Sequence, residues 1–394
     1  MLSPARIAII SASIGGGHDG AAAELARRLA AAGFRVDRRD FLDLLPAGAG
    51  QLIAGTYHRM LTLAPPAYQR LYAATEDDER PGPAVRALLA TARRRTLAAI
   101  APGTCAVIST YPGASQVLGA LRRSGRLTVP VITYLTDFSV HALWVAAGVD
   151  AHLAVHPAPA AEARSRGAAT AVCGPLVDPR FGPPGPGVRG AARVRFGLPA
   201  TGLLALLIAG SWGVGEVRQA AADVHATGTA IPVVVCGRNT ALAERLRRDG
   251  VPYVFEWVTD MPGLMHACDV LVQNAGGLTS LESFAAGLPV AGYRCIPGHG
   301  RANAAALDAA GLAVWIRERG ELGPVLGELL YGRRGRDQRA AGLALHRRAT
   351  GPVPAVLTAL AGAPHPPVAR RARRGAVSAG PTPVLAAPPD GARP

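Results

Sequence analysis

Strand-length apolar runs alternate with helix-period segments along almost the whole chain, and most runs stop at a glycine-bearing turn. Few folds satisfy that order. Parallel strands need long crossovers, usually helical, so alternation points to an α/β class with parallel sheets. The first block opens on Ile7-Ala8-Ile9-Ile10, turns through glycines, and continues as a helix pattern from Asp19 to Ala32. Further strands are expected at Ala106 to Ser109, Val129 to Tyr134, Ala151 to Val155 and Thr170 to Gly174. The second block begins with Leu203 to Ala209, and strands recur near Ile231, Pro252, Asp269, Leu288 and Ala313. Between the blocks, FGPPGPGVRG (Phe181 to Gly190) is too rich in proline and glycine to continue either element. The expected organisation is an N-terminal domain over 1–180, a linker over 181–197 and a C-terminal domain over 198–360. A tail over 361–394, made of Ala, Pro, Gly and Arg without periodicity, is expected to be disordered. Two Rossmann-like parallel-sheet domains would then face each other across a cleft.

Composition removes several function classes. The net charge is +15, but all 42 basic residues are arginine, which with heavy Ala, Gly and Pro usage reads as coding bias. Aromatics are 5%, and no basic run is interleaved with rings that could stack on bases, so no nucleic-acid partner is expected. A basic protein can still be drawn to an anionic membrane surface. Cys105, Cys173, Cys236, Cys268 and Cys295 are scattered and form no CxxC, which fits buried free thiols in a reducing cytoplasm. No segment approaches the length of a membrane span or reads as a signal peptide. A peripheral cytoplasmic protein, on the inner face of the plasma membrane, is the expectation.

In open α/β sheets ligands sit at the carboxyl ends of strands. SASIGGGHDG follows the first strand and opens a helix. Gly15, Gly16 and Gly17 allow a tight turn and close approach to a ligand. The pattern is not GxGxxG, which disfavours a dinucleotide. His18 falls at the helix start, where the dipole disfavours imidazolium. It fits either a packed or capping residue, or a neutral general base facing the cleft. TYLTDFSVHALW places Asp137, His141 and Trp144 just past another strand. Asp137 can polarise a histidine or bind an acceptor hydroxyl, or simply be a turn aspartate. His152 and His156 are assigned no role.

In the second half, Gly210, Gly213 and Gly215 form a loop able to approach a phosphate. Arg238 is a candidate to neutralise phosphate charge. The strongest signal is VQNAGGLTSLESFAAGLPV. A strand ends at Asn274-Ala275-Gly276-Gly277, and a helix is expected to start near Thr279, so its free N–H groups and dipole make an anion site. Thr279 or Ser280 would cap, and Glu282 in the first turn would accept from ribose hydroxyls. Asn303, after IPGHGRA, could bond sugar hydroxyls. The acidic run Glu76 to Glu79 reads as a solvated loop, and no acidic pair sits in a metal-binding context. No metal or other cofactor is expected.

The motifs SASIGGGHDGAA, TDFSVHALW, CGPLVD, NAGGLTSLESFAAGLP and PGHGRANA, in order from about Ile9 to Asn303, resemble the monogalactosyldiacylglycerol synthase family of processive lipid glycosyltransferases. That family is akin to the transferase that forms lipid II. The resemblance implies a GT-B fold, a UDP-hexose donor, a lipid acceptor such as a diacylglycerol, and inversion at the anomeric carbon. It implies His18 as base, with Asp137 and His141 nearby on the acceptor side. On the donor side it implies Ser211, Gly213, Thr279, Glu282 and Asn303, and Val258 where backbone meets uracil. Where relatives commonly read PGQ-E-x-x-N, this chain has His299 and Gly300. The segment Gln51 to Tyr72 matches a region facing acceptor and membrane, and fits either an amphipathic surface helix or core packing.

Other readings are open to the same residues. They are a UDP-sugar 2-epimerase, a natural-product glycosyltransferase with a soluble acceptor, and a non-catalytic nucleotide-sugar binder.

Overall fold

A computed structural model describes residues 4–76, 82–348 and 350–363. The tail over 364–394 and residues 77–79 of the acidic run lie outside the described residues. The first sheet is built from β1 (Arg6–Ser11), β2 (Arg35–Asp40), β3 (Thr104–Ser109), β4 (Val131–Tyr134), β5 (Ala151–Ala154) and β6 (Thr170–Val172). Its order is β2-β1-β3-β4-β5-β6. The second comprises β7 (Leu204–Ile208), β8 (Ile231–Val235), β9 (Tyr253–Phe255), β10 (Val270–Gln273), β11 (Val290–Tyr293) and β12 (Val314–Ile316), in the order β12-β11-β10-β7-β8-β9. Every pairing is parallel. Central strands such as β1 and β7 are continuous apolar runs because helices bury both faces of each sheet.

The direction of winding reverses between β1 and β3 in one sheet, and between β7 and β10 in the other. Those are the switch points where α/β sheets open a ligand crevice. The glycine motifs read from the sequence fall there: SASIGGGHDG after β1, GSWGVGEV after β7, and NAGG after β10.

Four expectations need correction. Residues 181–197 are not irregular throughout. The proline-rich run ends at Gly187, and VRGAARVR forms the helix Val188–Arg195. It packs on the helix Met261–Ala267, with Arg193 buried against Asp269. Next, the chain does not stay in the second half to residue 360. The helix Pro352–Gly362 returns to the first half, where Gly174 N donates to Thr350 O at 2.7 Å. It packs against the helix Gly16–Ala31 and β5, and buries Val356 and Ala355. Third, Cys105 is exposed, whereas Cys173, Cys236 and Cys268 are buried. Fourth, the helix after β10 starts at Leu278 with Gly277 as its cap, and neither Thr279 nor Ser280 caps it. Glu282 therefore lies in its second turn. No helix among the described residues is long and apolar enough to cross a membrane.

Candidate active site

The helix Gly16–Ala31 begins directly after the β1 turn, so His18 lies in its first turn, as read from the sequence. Its Nδ1 is 2.9 Å from Thr136 Oγ1, and its carbonyl accepts from Thr110 Oγ1 at 3.1 Å. The ring packs edge-on to Tyr111 and tilted against Trp144, with centroids 5.3 and 5.8 Å away. Burial lowers the imidazole below its usual value, against an opposing pull from Asp137 and the Thr110 backbone. The result is a neutral histidine at a switch point.

Asp137 does not touch His18 by hydrogen bond. Its Oδ2 accepts from Trp144 Nε1 at 3.1 Å and its Oδ1 from Asn303 Nδ2 at 3.2 Å. It acts on His18 through space, while Thr136 holds the ring. Trp144 is a buried wall of the site. Both ring nitrogens of His141 have protein partners: Nδ1 accepts from Leu143 N and Nε2 lies 3.1 Å from Thr75 Oγ1.

The two halves meet at these loops. A side-chain carbon added to Gly16 would lie 4.0 Å from Ser211 Cβ, and one on Gly17 would lie 3.8 Å from Leu278 Cβ. The glycines that carry His18 thus face the loop after β7 and the start of the helix Leu278–Ala286. The loops after β7, β8 and β10 are tied together. Asn274 Nδ2 donates to Val214 O at 2.9 Å, Asn239 Nδ2 to Gly213 O at 3.0 Å, and Arg238 N to Ser211 O at 3.0 Å. Gly210, Gly213 and Gly276 all take positive φ, and Gly277 has nothing within 4 Å of where a Cβ would stand. That leaves open space over the helix start, next to Thr279. The exposed Arg238 guanidinium stacks 4.8 Å over the exposed Trp257 ring, beside Val258, instead of pointing at the helix start.

Glu282 is half-buried. Burial pushes its carboxyl up to about 8, and Asp178 adds in the same direction. A folded value above the unfolded one means the neutral acid is favoured, and stability is lost as pH rises toward and through 8. By this linkage the carboxylate costs on the order of 2–4 kcal/mol in alkaline solution. Glu282→Gln is expected to raise the urea midpoint at about pH 8.5 but not at about pH 4.5.

His299 starts the helix His299–Ala309. Its Nδ1 lies 3.1 Å from Tyr68 Oη and 3.4 Å from Tyr57 Oη. Burial lowers His299 and raises Tyr68 to about 12, so protonated phenols meet a neutral imidazole. Both Asp137 and His18 influence the titration of His299, which places it in the same electrostatic neighbourhood. Gly298 has φ 64°, and a Cβ there would sit 2.7 Å from Tyr68 Cε1. Only glycine lets this loop come so close to the helix Pro65–Glu76.

Sequence reasoning missed Thr136, Tyr57, Tyr68 and Tyr111. Thr136 adjoins Asp137, but nothing local distinguishes it. Tyr68 and Tyr72 do stand one helical turn apart, a spacing that marks an inward face.

Two parallel sheets whose switch points look at each other define the GT-B class of glycosyltransferase fold. Solved structures of that kind superpose on nearly the whole chain. The UDP-glucose complex of HepE from Anabaena matches with a TM-score of 0.55 at 15% identity, over 90% of this chain and 98% of that one. MurG of Acinetobacter baumannii matches with a TM-score of 0.55 at 16% identity, over 91% and 99%. At such identities the likeness is one of fold. Residues 18–175 match the family described as monogalactosyldiacylglycerol (MGDG) synthase. The chain is also similar to the processive diacylglycerol β-glucosyltransferases of Bacillus subtilis (27% identical over 225 residues) and Bacillus cereus (26% over 233). Each alignment covers 55% of this chain, which spans 58% and 57% of those curated relatives' lengths. The resemblance read from the motifs is borne out.

Proposed function

We propose that this protein transfers a hexose from a UDP-sugar to the hydroxyl of a membrane lipid, with inversion at the anomeric carbon. The observation that carries the reading is the juxtaposition of His18 with the donor-type helix start, each at its own sheet's switch point and in contact through Gly17 and Leu278. The similarity to diacylglycerol glucosyltransferases supports the lipid acceptor.

In this mechanism neutral His18 takes the proton from the acceptor hydroxyl as its oxygen bonds to the sugar's anomeric carbon. The bond from that carbon to the UDP oxygen breaks on the opposite face. UDP leaves with its diphosphate at the N–H groups of residues 277–279, where the helix dipole stabilises developing charge without a metal. Glu282 accepts from the ribose, and Val258 lies by the base. His299, in place of the glutamine of relatives, faces the transferred sugar. Proton NMR of the product tests the stereochemistry: an α-linked UDP-hexose should give a β-glycoside. An α-linked product would overturn inversion.

The acceptor is proposed to arrive from a membrane held against the helices Ala49–Leu63, Pro65–Glu76 and Pro83–Ala99. Leu52, Leu63 and Leu71 are 70, 78 and 50% exposed there, alongside exposed Arg59, Arg70 and Arg93. The inner faces of the first two carry Tyr57, Tyr68 and Gln69, which bond to His299 and Gly298, so packing takes one face of Gln51 to Tyr72 and leaves the other for the proposed membrane contact. Burying a leucine is worth about 1.5–3 kcal/mol. Replacing all three by serine is expected to weaken partitioning onto anionic vesicles by at least about tenfold in a sedimentation assay. Unchanged partitioning would move the membrane face elsewhere.

A further inference from the structure

Asn303 is completely buried, and the protein uses every polar atom of its side chain. Oδ1 accepts from Phe138 N at 2.8 Å, Ser139 N at 2.9 Å and Ser139 Oγ at 3.1 Å. Nδ2 donates to Asp137 Oδ1 at 3.2 Å and to Ala275 O at 3.3 Å. A primary amide has two N–H groups and two acceptor lone pairs, so its capacity is filled. The local backbone is shaped for this contact. Gly276 has φ 80°, and a Cβ there would lie 2.7 Å from Asn303 Cβ. Any other residue at 276 would push the helix His299–Ala309 away.

The partners of Asn303 lead straight to the base. Asp137 accepts from Trp144 on its other oxygen, Trp144 packs on the His18 ring, and Thr136 holds His18 Nδ1. One amide from the second half therefore fixes the loop, the carboxylate and the ring wall around a histidine of the first half.

We infer that Asn303 is a positioning residue that acts through Asp137, locking the two halves in register at the base, and that it does not read the sugar. The part played by His18 and Asp137 in catalysis rests on the transfer reading proposed above; the lock does not. An amide with no free donor or acceptor has nothing to offer a sugar hydroxyl, so hexose choice passes to other groups, among them His299.

The test compares full-length wild type with Asn303→Ala, Asn303→Asp, Asp137→Asn and the double variant Asn303→Asp/Asp137→Asn. Asn303→Asp keeps an oxygen for Phe138 and Ser139 but sets a carboxylate oxygen against Asp137. In the double variant amide and carboxylate exchange places. The residue 137 amide can then donate to residue 303 and still accept from Trp144. Thermal denaturation is expected to show a lower Tm for Asn303→Asp and partial recovery in the double variant, which restores the bond to residue 137 but leaves a carboxylate oxygen facing Ala275 O. In the kinetic arm, Asn303→Ala should lower kcat at least about tenfold while KM for UDP-hexose stays within about threefold. No Tm recovery in the double variant would overturn the lock. A KM raised about tenfold with kcat retained would instead make Asn303 a sugar ligand. Wild type that turns over no UDP-hexose would sink the transfer reading, and the thermal comparison would still decide the lock.

Discussion

Replacing His18 by alanine is expected to lower turnover by about 10²–10⁴-fold, the usual contribution of a general acid–base group. UDP affinity, measured by calorimetry, should stay within about threefold, because the proposed donor contacts lie on the other sheet and are separable from the chemical step. The expectation follows from position and charge together. His18 stands at the β1/β3 switch point, is held by Thr136, and is kept neutral by burial. Its lowered value also sets the sign of the pH profile. A base must be unprotonated, so the rate should fall as pH drops below the ordinary histidine range and be flat on the neutral side. Thr136→Val should move the rate in the same direction but less. Full turnover in His18→Ala would remove the base from the mechanism.

The second large effect concerns stability. Asp269 is 6% exposed, and its Oδ2 accepts from Arg193 Nη2 at 2.8 Å and Leu204 N at 2.9 Å. Arg189 pairs with its other oxygen. This carboxylate joins the linker helix Val188–Arg195 to the starts of β7 and β10. Asp269→Ala would strand the buried Arg193 guanidinium, and breaking such a pair typically costs about 3–5 kcal/mol. Arg193 keeps its carbonyl partners at Ala267, Ala200 and Gly202, which places the loss at the lower end of that range. The exposed pair Arg333–Asp337 serves as the control: Asp337→Ala should change stability by only about 0.5 kcal/mol. Urea denaturation reads both. Equal small losses would mean the pair does not anchor the linker helix.

Local pattern carried the strands, because a strand covered on both faces must be a continuous apolar run. It carried two of the loops too, since β1 and β10 run into glycine-rich turns. His18 and the helix after Asn274 were legible for that reason. What was not legible depends on distant chain. The bond from Phe138 to Asn303 joins residues 165 apart, and no local spacing announces it. Asn303, read as a sugar ligand, is filled by protein. His141, read as acceptor-side, caps a turn and meets Thr75. The returning helix Pro352–Gly362 was assigned to the second half because a short apolar helix does not state which sheet it covers. The helix Val188–Arg195 was hidden by the Pro/Gly run before it, although its Ala and Arg residues are good helix formers.

The most direct test of the central claim is transfer of radiolabel from a panel of UDP-hexoses to diacylglycerol in anionic vesicles. The protein should place label in the organic phase from at least one donor, and His18→Ala should abolish most of it. An organic phase without label across the panel, with the sugar instead epimerised or the donor untouched, would contradict a lipid hexosyltransferase.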